Sequence, residues 1–95
     1  MMNLVVRSQD KTQLHKCDVL TIEKCVIDEY GNYWEVDSRL VDETAIKHCI
    51  YGENGVLGSY SSEEKAVKVL NEMEKVFFEN IIYKMPTDEE VEGWP

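Results

Sequence analysis

The chain has no run of apolar residues near the roughly 18 that a membrane-spanning helix requires. Its first residues also lack the basic segment, apolar block and small-residue cleavage site that together form a secretion signal. We therefore predict a soluble, cytoplasmic protein without a membrane partner.

Cysteine is too scarce and too irregularly spaced for a disulfide framework, because the chain has only Cys17, Cys25 and Cys49. Reduced thiols are the simplest expectation. The cysteines and the two histidines also form no C-x-x-C or H-x-x-x-H pair that would hold two ligands of a tetrahedral zinc ion. The sequence therefore predicts no metal site and no cofactor.

No nucleophile, base and orienting group can be named together, which argues against catalysis. His48 and Cys49 are neighbours, but successive residues of a strand point to opposite faces, so they do not form a dyad. His48 also lies between Ile46 and Ile50 at two-residue spacing, as a packed histidine does. We predict a protein that is not an enzyme and has no catalytic residue.

Basic residues are few, and the ten of them against nineteen acidic residues give a formal net charge of −9. A field of this sign repels nucleic acid, so direct nucleic-acid binding is not expected. Residues 86–95 carry four acidic residues and no basic one, and Pro86 at their start cannot continue a sheet ladder. We predict a single domain over residues 1–85 and an acidic, flexible tail over residues 86–95.

What the chain does contain is enough apolar material for one core, with 43% apolar and 31% charged residues. Alternating, β-branched segments predict short strands over residues 3–8, 12–17, 19–27, 33–38, 45–51, 56–60 and 81–85. Gly31-Asn32 predicts the turn of one hairpin, and residues 52–55 predict a second hairpin in either of two registers. The predicted fold class is α+β: an antiparallel sheet of about five to six short strands packed by one amphipathic helix, then the short strand at residues 81–85 and the acidic tail.

One helix is predicted over residues 62–79. Ser61 and Glu64 match a capping box that begins a helix, and an apolar stripe at three- and four-residue spacing follows, formed by Ala66, Val69, Leu70, Met73 and Phe77. Phe78 lies on a second face of this helix. Either a second subunit or the returning residues 81–83 cover it, so a homodimer or higher oligomer is one of two open alternatives.

The hairpin around Gly31-Asn32 brings like charges together, because this turn sets Asp28 opposite Glu35. The two carboxylates either lie on a solvated outer face or belong to an acidic patch that contacts a basic partner or mimics phosphates. The patch would consist of Asp28, Glu35, Asp37, Asp42 and Glu43. This stretch lacks the alternate oxygen ligands of a calcium loop. Aromatic residues also cluster nearby, where they either fill the core, the simpler interpretation for Trp34, or anchor an interface.

Two further sets of residues are candidates for binding. Arg7 and Arg39 are the only arginines, and their planar guanidinium groups suit phosphate or carboxylate, so we predict them as ligand-binding residues if the ligand is a nucleotide. The alternative is pairing with nearby carboxylates. Trp94 lies in the acidic tail, which predicts either a mobile arm that docks through one aromatic anchor or simple disorder.

Three segments resemble a group of short proteins of Gram-positive bacteria and their phages. The segments are residues 4–10, which read LVVRSQD, residues 57–66, which read LGSYSSEEKA, and residues 83–92, which read YKMPTDEEVE. A weaker similarity is to phage anti-Thoeris sponges, which sequester a cyclic ADP-ribose signal between subunits. The resemblance implies a strand-rich body, a bacterial host cell and a protein of phage or mobile-element type.

The leading hypothesis is a small non-catalytic binding or inhibitory protein that occupies a protein partner or a small nucleotide. A second hypothesis is an acidic nucleic-acid mimic that inhibits a DNA- or RNA-handling protein. A third is an enzyme whose site is assembled between subunits.

Overall fold

In the part of the chain that the structure describes, seven strands and two helices form the α+β fold that the sequence predicts. The structure is a computed structural model that describes residues 4–36, 45–77, 79 and 81–95. In chain order the elements are β1 (Leu4–Arg7), β2 (Leu14–Cys17), β3 (Thr21–Ile27), β4 (Tyr33–Glu35), β5 (Lys47–Gly52), β6 (Gly55–Tyr60), α1 (Glu63–Val76), β7 (Ile82–Lys84) and α2 (Asp88–Glu92).

The strands form two sheets where the sequence predicts one. The smaller sheet has the order β2-β1-β7, and β7 lies parallel to β1, with Val5 opposite Ile82 and Arg7 opposite Lys84. The prediction that the strands are antiparallel throughout is therefore wrong for this pair. Parallel neighbours need a long crossover, and here the chain between β1 and β7 includes the whole larger sheet and α1.

The larger sheet has the order β4-β3-β5-β6, and all of its pairs are antiparallel. The β5–β6 hairpin adopts the register in which Tyr51 pairs with Val56 and Gly52 pairs with Gly55, with an irregularity between Ile50 and Tyr51. Gly55 has φ 133, a backbone conformation that residues with a side chain rarely adopt. The glycine at this turn therefore fixes the register that the sequence leaves open.

Helix α1 begins one residue later than its capping pattern predicts. Ser62, not Ser61, is the N-cap, and its hydroxyl accepts a hydrogen bond from the Lys65 amide at 3.2 Å. Ser61 is held instead by Asp88, whose carboxylate accepts from the Ser61 amide at 2.8 Å. The helix spans Glu63–Val76 against a predicted end at residue 79, and it buries Ala66, Val69 and Met73.

Residues 86–95, for which the sequence predicts a flexible tail, contain α2. Thr87 and Glu90 form a capping box at its N-terminus, and Val91 is buried in the core with 1% of its surface exposed. Lys65 of α1 forms ion pairs with Asp88 and Glu92. The structure differs from the expectation because the side chains of Val91 and Trp94 pack in or against the core and polar contacts join this segment to α1.

The core joins both sheets and both helices. Its largest side chains are those of Tyr60, Leu4, Ile50, Leu57 and Met73. Burial raises the pKa of the Tyr60 phenol, which donates to the Pro86 carbonyl at 2.7 Å. The Gln9 amide donates to the same carbonyl at 3.0 Å and also bonds both backbone groups of Ser59. Gln9 therefore closes the edge of β6 and connects the two sheets.

A disulfide between Cys25 and Cys49 corrects the expectation of reduced thiols. The two residues lie diagonally on the neighbouring strands β3 and β5, with Cα atoms 6.4 Å apart, and both are fully buried. That Cα separation lies within the range that a disulfide spans. Cys17 keeps a free, buried thiol.

Candidate binding surfaces

Exposed apolar side chains concentrate in two places on the described surface. Four of them lie between residues 27 and 34, namely Ile27, Tyr30, Tyr33 and Trp34. Three more, Leu14, Ile81 and Ile82, lie in or next to the smaller sheet. A cluster of exposed apolar residues marks a binding surface more often than single ones do, so these two places are the candidates.

The first surface, which we call the aromatic hairpin, is residues 27–34 at the β3–β4 connection. The Asp28 carboxylate organises its turn, accepting from the Tyr30 amide at 2.9 Å and from the Asn32 amide at 2.8 Å. The Asn32 amide side chain donates to it at 3.3 Å. Gly31 has φ 84, where glycine has no steric penalty. The Asp28 side chain thus accepts hydrogen bonds from two residues of the turn.

Trp34 is held in place by the same carboxylate. Its indole Nε1–H donates to Asp28 Oδ2 at 2.8 Å, although 58% of the residue is exposed. This bond and the bond from the Asn32 amide lower the pKa of Asp28, so the charged acceptor is kept at neutral pH. An exposed indole with a fixed orientation follows, and Tyr30 in the same turn has 82% of its surface exposed.

The second surface, which we call the basic face, is the outer side of the smaller sheet. Its two rows across the strands are Lys16, Val5 and Ile82, and then Leu14, Arg7 and Lys84. The three strands contain no carboxylate. Arg7 and Lys84 are directly paired, and like charges in this position are destabilising. Neither forms an ion pair with a described residue, so both cations stay available to an anion.

A cavity of about 180 Å³ lies at one end of the basic face, lined by Arg7, Ser8, Lys11, Lys84 and Met85. We call it the Arg7 cavity. Lys11 belongs to the β1–β2 turn, in which Asp10 accepts from Ser8 Oγ at 2.6 Å and from Thr12 Oγ1 at 2.7 Å. These bonds lower the pKa of Asp10 to about 2. The turn therefore holds Lys11 beside the cavity, at a backbone φ of 68.

The predicted acidic patch is not assembled as expected. Asp28 does not face Glu35: β4 pairs Glu35 with Cys25 and Tyr33 with Ile27, so the register shifts and Asp28 closes the turn. The prediction that the Asp28 and Glu35 carboxylates lie opposite each other is therefore wrong. Three other residues of the patch, Asp37, Asp42 and Glu43, lie outside the described residues.

Arg7 is the predicted ligand-binding residue that the structure places beside other cations. Arg39 and Phe78 lie outside the described residues. Trp94 follows α2, is partly buried and packs against the core, and its amide donates to the Val91 carbonyl at 2.9 Å. It also lines a shallow cavity of about 360 Å³ with Lys68 and Lys75.

Sequence reasoning missed the exposed position of Trp34 and the neighbours of Arg7. Trp34 looks like a core residue because its exposure depends on strand register, and the Asp28 side chain sets that register. Lys84 lies beside Arg7 only because β1 and β7 pair in parallel. No pattern of neighbouring residues in the sequence predicts this pairing. A usable signal did exist for α2, since Thr87 to Glu90 reads as a capping box.

No metal-ligating cluster of three or more histidine, cysteine or acidic side chains occurs among the described residues. No helix in the described ranges is long and apolar enough to cross a membrane. Comparisons of the chain with protein-family models, curated proteins and solved structures found no match.

Proposed function

We propose that this chain is a small non-catalytic binding protein of phage or mobile-element type, and that the aromatic hairpin is the element that contacts its protein partner. One observation carries the proposal: Trp34 is 58% exposed while its indole N–H is bonded to Asp28. An exposed tryptophan whose orientation is fixed before binding is the kind of side chain that dominates interface energies.

The hairpin is well suited to binding because its order is established in the free protein. Association ordinarily costs about 0.5–1.5 kcal/mol for each rotamer-rich side chain that becomes immobile. Because Asp28 already holds the Trp34 indole in one orientation, part of this ordering cost does not arise when a partner binds. Tyr30 adds rigid aromatic area with few rotatable bonds, as in antibody binding loops.

The partner surface is expected to be basic. Asp28 and Glu29 lie within the aromatic hairpin, and no lysine or arginine occurs between residues 25 and 38. Lysine and arginine side chains of a partner can stack on the exposed rings, an interaction worth about 0.5–1 kcal/mol at exposed sites. The aromatic and acidic character of the hairpin therefore favours a cationic, partly apolar site on another protein.

Nucleic-acid mimicry is the weaker alternative. It requires carboxylates that are free to meet a basic surface in the places of phosphates, whereas Asp28 already accepts four hydrogen bonds within its own hairpin. The proposed interface rests on aromatic contacts and uses charge for steering.

The test is affinity capture from a lysate of a Gram-positive bacterium with immobilised protein, compared between the unmodified chain and Trp34→Ala. We expect one or more basic proteins to be retained by the unmodified chain and lost with Trp34→Ala. Val67→Ala is the matched control, because Val67 is an exposed apolar residue of α1 at 40% exposure. It should retain the same proteins.

Hydrogen exchange locates the contact on the chain itself. Addition of the captured protein should slow exchange in residues 27–34 and leave β7 unchanged. A set of retained proteins that is the same for Trp34→Ala and the unmodified chain would overturn the proposal, as would protection confined to other strands.

A further inference from the structure

We infer that the Arg7 cavity is a second binding site, specific for a small phosphorylated molecule with more than one negative charge. The inference does not rest on the proposed function, because none of the residues that line the cavity belongs to the aromatic hairpin. Three cationic side chains, Arg7, Lys11 and Lys84, line one cavity of about 180 Å³ in a chain whose net charge is −9.

The positions of these cations are difficult to explain by stability. Arg7 and Lys84 are paired across neighbouring strands, which lie about 4.8 Å apart. Mutual repulsion between them is unfavourable, and no described carboxylate forms an ion pair with either. An anion bound between them would attract both cations and so offset their mutual repulsion.

Lys11 provides a separate indication. Its φ of 68 lies in the left-handed region, where glycine or asparagine is the usual residue. Backbone strain of this kind concentrates at functional sites. The neighbouring Asp10 carboxylate accepts hydrogen bonds from Ser8 and Thr12 within the turn, so the turn is rigid around Lys11.

The chemistry of the site indicates phosphate oxygens. The guanidinium of Arg7 presents planar paired donors, and the two lysines supply compact charges beside it. Ser8 and Met85 are nearly fully buried and line the same cavity, so it takes a compact anionic group in preference to a long chain. The net charge of the protein disfavours a nucleic-acid backbone at the same place.

The test is calorimetric titration with inorganic pyrophosphate at low ionic strength. We expect saturable binding that is weakened about tenfold by Lys84→Gln and by Lys11→Gly, the loss of one charge-assisted contact each. Lys24→Gln, which removes the same charge from an exposed position on β3, should change affinity less than about twofold. Trp34→Ala should leave pyrophosphate binding unaltered, which separates this site from the proposed function.

Lys11→Gly separates binding from folding. Glycine relieves the left-handed conformation, so this variant should unfold at the same or a higher temperature while it binds pyrophosphate more weakly. Equal affinities in the Lys11→Gly, Lys84→Gln and Lys24→Gln variants would overturn the inference, as would the absence of saturable binding. Binding to phosphatidylglycerol vesicles or to a DNA duplex without binding to pyrophosphate would also overturn it.

Discussion

Gly52 shows how closely a single residue can be fitted to its neighbours. A Cβ atom at this position would lie 2.8 Å from the Sγ atom of Cys17, which is buried. The smaller and larger sheets therefore approach each other so closely at Gly52 that there is no room for a Cβ atom. Sequence alone shows only a glycine beside a turn.

Gly52→Ala is expected to lower the free energy of unfolding by about 1–3 kcal/mol, because the added methyl group overpacks a rigid contact. Gly93→Ala is the control: its Cβ would meet only the Glu90 carbonyl at 3.7 Å, an ordinary contact. Urea unfolding followed by circular dichroism measures both. A Gly52→Ala variant as stable as Gly93→Ala would contradict the packing described here.

The three cysteines also allow a test at single residues. Burial, and to a smaller extent the charges of Glu53 and Asp18, raises the pKa of the Cys17 thiol to about 11. We expect no rapid reaction of the folded protein with Ellman's reagent at pH 8. Because Cys25 and Cys49 are joined, denaturant without reductant should expose one thiol per chain, and denaturant with reductant three. Three thiols without reductant would contradict the disulfide.

At the scale of elements, the aromatic hairpin depends on one charged carboxylate. The pKa of Asp28 is lowered from its ordinary 3.8 by the bonds from Trp34 and Asn32. A lowered pKa means that the contribution of Asp28 to stability is present above pH 3.8 and is lost as pH falls through the lowered value. The hairpin should therefore keep its order at mildly acidic pH.

The measurement is the Trp34 indole N–H resonance in an NMR pH titration. We expect its hydrogen-bonded shift to persist at pH 3.8 and to disappear only as the pH falls through the lowered pKa of Asp28. In Asp28→Ala the resonance should resemble a free indole at every pH, while Glu23→Gln on β3 leaves it unchanged. A shift in the unmodified protein that is constant through the acidic range would contradict the Asp28 bond.

The elements themselves were largely predictable, and their arrangement was not. Strand and helix segments follow from alternating and helical apolar patterns, and α1 ends three residues before its predicted terminus. The β3–β4 register was missed because a side chain, Asp28, determines the turn more strongly than the Gly31-Asn32 dipeptide does. The same holds for the binding candidates: Arg7 was predicted from its chemistry alone and stays a prediction, whereas its neighbour Lys84 lies beside it only through a contact between distant segments.

At the scale of the whole molecule, residues 86–95 contribute to the core. Val91 is 1% exposed, and the Pro86 carbonyl accepts bonds from Tyr60 and Gln9. A chain ending at residue 85 is expected to lose at least about 3 kcal/mol of stability, from the apolar burial and the unpaired Tyr60 hydroxyl. Thermal unfolding by calorimetry measures the loss.

Glu89→Gln serves as the control for that truncation, since Glu89 is exposed on α2 and its charge can be removed without loss of buried area. It should unfold within about 0.5 kcal/mol of the unmodified chain. If the truncated chain were as stable as Glu89→Gln, α2 would have no part in holding the fold together.

The parallel pairing of β1 with β7 has a consequence for synthesis on the ribosome. β1 emerges first, yet its neighbour β7, the Pro86 carbonyl and Val91 follow only after the larger sheet and α1 have been translated. Until then Leu4 and Val6 have no complete core to enter, and nascent chains carry exposed apolar surface. Arrest of translation before residue 82 should therefore yield a chain that chaperones recognise, whereas release beyond residue 91 allows closure.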